Sequence, residues 1–353
     1  MKMSYYIIRR LLLLIPTVIG ATLIVFLLTR AGGVNMVIAA YINPHLPYGP
    51  QKVAITKMLG LNQPLAIQYF YFLDGIIHGN LGYTKTGVYS GPVTTAMALY
   101  FPNTIQLAVV SFILSMIIGI PIGTVAAVRK DSWVDQLTRV VAFVGVSLPI
   151  FWLAILLMTY LGTSQGLQIL PISGTVSPKY LGTVPWINSM GISSPTGILM
   201  IDSLLHGNLI IFGSALEHVI LPALTLTFAS LAGIMRYMRN SAVEVMNMDY
   251  VKFARAKGLP ESQVIKKYAR KNALIPVITI SGLLLAGLLG GVVVVEELFN
   301  YPGIGYWTYQ AMQSSDAGGI MGATLLFALT IIVANLAVDI IYAYLDPRIR
   351  LGE

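Results

Sequence analysis

Apolar and polar positions alternate along this chain in long blocks. Positions 11–29 (LLLLIPTVIGATLIVFLLT) hold 19 residues without a charge, and positions 272–295 hold 24. A bilayer's hydrocarbon core, roughly 30 Å thick, takes about 20 helical residues. The pattern therefore predicts six spans, at about 9–30, 103–128, 138–161, 217–237, 273–295 and 321–344. The segments between them differ in kind. Residues 41–50 (YINPHLPYGP) and 162–200 are rich in Pro, Gly and Ser and read as ordered loops or caps. PLAIQYFYFLDGIIHG (64–79) reads as a short amphipathic helix whose aromatic residues suit a membrane interface. Residues 249–272 (DYVKFARAKGLPESQVIKKYARKN) carry seven basic and two acidic side chains in 24 positions.

Composition agrees with the pattern. Only 10% of the 353 residues are charged and 56% are hydrophobic, too little polar surface for a soluble protein of this size. An all-α integral membrane protein is expected. Lys2, Arg9 and Arg10 before the first apolar run resemble a signal peptide, but the run is long and lacks a small-residue cleavage pattern, so it is read as a retained first helix. Cysteine is absent, which removes disulfides and thiolate metal sites.

The net charge of +8 matters less than where it sits. With both ends cytoplasmic, segments 1–10, 129–139, 236–272 and 345–353 hold 17 of the 22 Lys and Arg residues, and the opposite segments hold 5. The positive-inside rule then gives N-in, C-in, a multi-pass protein of the plasma membrane.

Within 240–272 the residue types predict a helix, a glycine corner and a second helix. Nothing breaks a helix before Lys257, Gly258 can take the left-handed conformation, and Pro260 fits a first helical turn. Glu261 and the basic run Lys266 to Lys271 complement the second helix's dipole. That helix reads as only about three turns, too short to stand alone in water. Charge alone describes a basic loop that orients the chain and meets anionic lipids; the corner and its small alanines favour protein docking.

Other candidates have plainer alternatives. Ser147, Pro149, Phe151 and Trp152 interrupt the third span, as a packing kink or as part of a wetted path. Gly282, Gly287, Gly290 and Gly291 allow close helix approach in the fifth. Glu296 and Glu297 end that span, where solvation makes a carboxylate cheap, and Asp339 and Asp346 read as solvated or paired near the end of the sixth. His45, His78, His206 and His218 fall outside or at the outer edge. Asp202 and His206 have helical spacing, but nothing fixes a fourth zinc ligand, so no metal site is expected. No nucleophile, triad or carboxylate pair stands out, so no catalytic residue is assigned. The chain contains no Gly-Lys dipeptide, which rules out the GxxxxGK[ST] phosphate cradle.

The run Ala254-Arg255-Ala256-Lys257-Gly258-Leu259, with Asp249-Tyr250 before it and RKNALIP (270–276) after it, resembles the coupling loop of ABC-importer permeases of the dipeptide/oligopeptide group. With Gly258 as the glycine of that family's "EAA" motif, Lys252, Phe253 and Ala254 take the three named positions, and only the last alanine and the glycine survive. FPNTIQLAVVSFILSMIIGIPIGTVAA (101–127), SWVDQLTRVVAFVGVSLPIFWLAILL (132–157), LPISG (170–174), HVILPALTLT (218–227), GGVVVVEELFNYPGIG (290–305) and NLAVDIIYAYLDPRIR (335–350) extend the resemblance along the chain. The insert at about 175–215 is less typical.

The resemblance implies a type I ABC importer permease fold with a cytoplasmic coupling helix and large extracellular loops. It divides the chain into an N-terminal transmembrane helix (1–30), an extracellular loop with short helices (31–100) and a permease core (101–353) containing an insert at 162–216 and the coupling loop. The implied partners are a second homologous permease subunit, two ATPase subunits (a heterodimer) that bind ATP and Mg, and an extracellular solute-binding protein. Membrane lipids surround them; nucleic acid is not expected. No cofactor is assigned to this chain. Coupling to the ATPase maps to Ala254, Ala256, Lys257, Gly258 and Leu259, with Asp249 and Tyr250 at the start of the helix. Glu296 matches an acidic position of the family and is read as a gate or partner contact. The group handles di- or oligopeptides, while some relatives carry oligosaccharides or nickel. An ion-driven secondary transporter is the alternative, and it should show ionisable residues within its spans, where this chain has almost none.

Overall fold

The computed structural model describes residues 3–289 and 292–345. Gly290, Gly291, Asp346 and the side chain of Asp339, all singled out above, lie outside the described residues. In lipid every backbone polar group must be paired within its own segment, and the apolar runs accordingly form helices. In chain order these begin with α1 (Met3–Ala31), α2 (Val34–Ile38), α3 (Tyr48–Met58) and α4 (Leu65–Ile77). A small antiparallel hairpin, β1 (Tyr83–Lys85) and β2 (Ser90–Pro92), precedes α5 (Val93–Val128). Next come α6 (Trp133–Ser147), α7 (Ile150–Leu157), α8 (Leu199–Leu205), α9 (Leu209–Met246) and α10 (Asp249–Ala256). The chain then runs through α11 (Glu261–Gln263) and a π-helical turn (Val264–Arg270) into α12 (Lys271–Leu289). α13 (Val293–Leu298), α14 (Ile304–Gln313) and α15 (Ala317–Leu345) complete it.

Among the described residues five helices are long and apolar enough to cross a membrane: Leu12–Ala31, Val93–Val128, Leu209–Met246, Glu261–Leu289 and Ala317–Val338. The expected third span, 138–161, is not one helix. α6 and the helix that follows are bent by 105°, and count as a sixth span only when taken together. The break falls where Pro149 lacks an N–H and its ring forces Leu148 into an extended conformation (φ −74, ψ 128). Ser132 starts α6 as its N-cap, accepting from the Asp135 N–H.

Two other expectations shift. The fourth span runs far past 237, because no proline stands between Pro222 and Asn247; its 38 residues reach roughly 57 Å at 1.5 Å per residue. The second corner helix is not a separate three-turn element, since Glu261–Leu289 is one helical run. Its support is covalent continuity with the fifth span.

The core is the crossing of α5 and α9. Ser111, Ser115, Gly119 and Gly123, each four residues apart and all buried, place a small-residue stripe on one face of α5. A Cβ on Gly123 would lie 2.7 Å from the Met235 carbonyl oxygen, so the two backbones touch there. Thr227 donates to the Ser111 carbonyl at 3.1 Å across the same seam. Gly282 likewise admits Val338 of α15, whereas Gly287 has open space around it. Leu107, Val219, Leu226 and Phe299 belong to one apolar cluster, which joins α5, α9 and the residues after the fifth span.

Candidate functional site

The corner between α9 and α12 is built from two opposed faces of α10. Val251 and Ala254, three residues apart, are buried with Val264, and Val245, Leu259 and Tyr268 pack on them. The other face carries Tyr250, Phe253, Ala256 and Lys257, all exposed. Phe253 is 61% exposed, and the Lys257 ammonium lies 4.6 Å from its ring centroid. Gly258 then reverses the chain at φ +74, its N–H donating to the Arg255 carbonyl at 2.9 Å. Arg255 crosses the corner to Glu261 at 2.7 Å, and Asn272 donates to the Tyr250 hydroxyl at 3.0 Å. Asp249 pairs with Lys252 at 3.1 Å in the first turn of α10.

Most residues assigned to this corner are therefore accessible on one side. Ala254 is the exception: it faces inward, because it shares the buried stripe with Val251. Leu259 is half-buried. Phe253 was not among the assigned residues. Its signal was available in the helical period, since a residue two after Val251 and one before Ala254 must lie off their face.

The four residues of the interrupted span gather at the α6–α7 bend. Ser147, Pro149, Phe151 and Trp152 are all exposed there. Ser147 also lines a groove of about 550 Å³ between α6 and α9, with Thr138, Arg139, Phe143 and Arg236; Phe151 and Trp152 do not line it. Below the bend, Asp135 is fully buried and joins the two helices. Arg239 of α9 donates to it twice, at 2.7 and 2.8 Å, and Arg139 donates at 2.6 Å. This bidentate pair was invisible to the sequence, where 104 residues separate Asp135 from Arg239.

Glu296 is not a solvated end of the fifth span. It is 0% exposed, and the turn at 300–303 and the first residues of α14 fold around it. Thr104 Oγ1 donates to Glu296 at 2.6 Å, and the backbone N–H groups of Gly305 and Tyr306 donate at 2.7 and 3.0 Å. These N–H groups open α14, so the carboxylate satisfies a helix start that has no local side-chain cap. A Cβ on Gly303 would lie 2.4 Å from the carboxyl, so a side chain there would displace it. Burial pushes the Glu296 carboxyl up to about 7 against the pull of these three donors. The side chain thus ties its own chain together and presents nothing at the surface.

The Asp202–His206 spacing does not make a ligand pair. Asp202 accepts from Ser193, Thr196 and the Gly197 N–H, organising the loop before α8. His206 instead stacks on Trp186, with ring centroids 4.4 Å apart. No three His, Cys, Asp or Glu side chains converge as metal ligands among the described residues.

Comparison with known proteins places this architecture. Residues 119–351 match the family described as "Binding-protein-dependent transport system inner membrane component". The chain is 38% identical over 300 residues to the probable D,D-dipeptide transport system permease protein DdpB of Escherichia coli K12, covering 84% of each chain. It is 36% identical over 353 residues to the dipeptide transport system permease protein DppB of the same strain, covering 99% of each. Against the oligopeptide transport system permease protein AppB of Bacillus subtilis 168, it is 34% identical over 349 residues, covering 99% of this chain and 100% of the relative. The chain belongs to the family of binding-protein-dependent transport system inner membrane components, as a multi-pass, all-α permease.

Proposed function

We propose that this chain is one membrane-spanning subunit of an ATP-driven importer that passes di- or oligopeptides inward from an extracellular binding protein. The peptide reading rests on the relatives, whose names assign them dipeptides, D,D-dipeptides and oligopeptides. The energy must come from elsewhere, because the sequence lacks a phosphate cradle. ATP and Mg are held by two partner ATPase subunits, and a second, homologous permease completes the path.

The observation that carries the mechanism is the two-faced corner. Its inner face is fastened to the chain by Val251, Ala254 and Val264, and its outer face offers Tyr250, Phe253 and Lys257 to a partner. α10 is connected directly to a 38-residue helix on one side and to the Glu261–Leu289 helix on the other. A push on the corner therefore moves two spans together. Asp135 passes the motion of α9 to α6 through Arg239, and the break at Pro149 lets α6 tilt without carrying α7 rigidly with it. Glu296 keeps the outer cap in one piece while the inner ends move.

Gly258 tests this reading with a paired substitution. A Cβ there meets nothing within 4 Å, so the constraint is backbone conformation rather than space. Gly258→Asn, which tolerates positive φ, should keep peptide-stimulated ATP hydrolysis in the assembled transporter; Gly258→Val should lose most of it while the protein still inserts. Equal coupled uptake by the wild type and Gly258→Val would remove the corner from the mechanism. Competition assays with di-, tri- and oligopeptides and with oligosaccharides on the cognate binding protein would settle the substrate class, and retention of sugar alone would overturn the peptide reading.

A further inference from the structure

We infer that a pocket at the membrane boundary, on the side opposite the corner, binds the phosphate headgroup of a phospholipid. The pocket is about 570 Å³ and lies between the end of α1, helices α3 and α4, and the start of α15. Connectivity sets its side. From Gly258 the chain crosses once, through Glu261–Leu289, before α15 begins at Ala317. Thr29 donates to the Met321 sulfur at 3.9 Å, so α1 ends beside that start.

Charge in the pocket has one sign. Arg30 and Lys57 line it, and no carboxylate does. The Arg30 Nε is closed off from solvent and meets no acceptor. The partner found for the guanidinium among the described residues is the Phe26 ring, 4.9 Å from its carbon. Arg30 is only half-buried, but its guanidinium has no counter-charge in the pocket, and its fork matches a phosphate oxygen pair. Gln68 is the second unmatched group. Its Nε2 donates to the carbonyls of Leu61 at 3.1 Å and Gln63 at 2.8 Å, which fixes the amide's orientation. Its Oε1 is left buried with no donor, and the residue is only 7% exposed. A phosphodiester supplies acceptors to the outer nitrogens of the guanidinium and to Lys57, and a headgroup amine or hydroxyl reaches Gln68 Oε1 through a side-chain shift at the pocket wall.

The surroundings favour a lipid over a dissolved anion. The Tyr69 hydroxyl of α4 donates to the Ile19 carbonyl at 3.0 Å. Ile19 lies eleven residues before Arg30, roughly 16 Å along the helix at 1.5 Å per residue. α4 therefore stands beside α1 within the apolar layer, below the cations. Tyr71 and Phe72 form a wall of the pocket, while Ile67, Phe70 and Ile77 are exposed on α4, where acyl chains would run. α1 itself packs chiefly on α15, and Leu23, Ile24, Leu27 and Leu28 are exposed on it, which leaves it at the edge of the chain.

The test uses the full-length permease, moved from nanodiscs of phosphatidylethanolamine and phosphatidylglycerol into detergent and examined by native mass spectrometry. One retained phospholipid is expected, with retention at least tenfold weaker in Arg30→Gln and in Lys57→Gln, the usual scale for losing a charged hydrogen bond. Dihexanoyl-phosphatidylglycerol should raise the unfolding temperature of the wild type, while inorganic phosphate, a free anion, and dialanine, a zwitterion with a carboxylate, should not. Should Arg30→Gln fail to fold, the exposed Lys57→Gln decides. Unchanged retention in the folded variants overturns the site. Equal protection by inorganic phosphate or dialanine overturns its assignment to lipid.

Discussion

Phe253 and Glu296 show how much one side chain's direction decides. Phe253 is an aromatic ring offered to water from a helix whose other face is anchored, and buried aromatic anchors dominate binding at interfaces. Phe253→Ala should reduce ATPase-coupled uptake by roughly tenfold, with stability changed by less than about 0.5 kcal/mol, because the exposed ring meets only the exposed Lys257 ammonium inside this chain. Transport assays in proteoliposomes alongside thermal unfolding would check both halves. Glu296 is the reverse case, inward and satisfied. Its carboxyl is raised from 4.5 to about 7 in the fold, so the folded chain binds that proton more tightly than the unfolded one. The contribution is complete below about 4.5 and is lost as pH rises towards 7. Across that window the wild type should lose stability relative to Glu296→Gln, which has no carboxyl to titrate, measured as unfolding temperature against pH.

At the scale of elements, the informative features are a junction and a break. α6 and α9 are joined by a buried carboxylate between two guanidinium groups, and such a pair is strongly destabilising when one partner is removed. Asp135→Asn leaves Arg239 without its counter-charge and should cost about 3 kcal/mol, seen as a lower unfolding temperature in detergent. If the variant folds, it should also transport more slowly, since α6 would no longer follow α9. The break at Leu148–Pro149 makes that dependence necessary, because the 105° bend prevents α6 and α7 from acting as one rod. The α5–α9 seam is different in kind. Gly123 brings the two backbones into contact, so these helices form a rigid pair against which α6 can move.

For the whole molecule, the exposed surfaces sort by what must cover them. Phe151 and Trp152 at the bend are large, apolar and exposed, at 50% and 45%, in a chain proposed to pair with a second permease. In the proposed importer the corner would seat the ATPase, and the far side the binding protein. Co-purification of an ATP-hydrolysing subunit should survive Lys52→Ala, remote from the corner, and fall sharply in a Tyr250→Ala, Phe253→Ala double variant. Uptake driven by this chain alone with a sodium or proton gradient would remove the importer reading entirely.

The sequence by itself determined the class of the molecule and the place of its corner. Apolar runs near 20 residues have one stable answer in lipid, and Gly258 followed by Pro260 can only turn the chain. Those are local rules, acting within a few residues, so they were legible one segment at a time. The tertiary structure alone decided which side chains face which neighbour. Ala254 and Phe253 are adjacent, yet one is buried and the other exposed, because Val264 closes on a single face of α10. Asp135 met Arg239, and Glu296 met Thr104 and the start of α14, across separations no local pattern encodes. Burial of a charge is a property of everything packed around it, and that information exists only once the chain has folded.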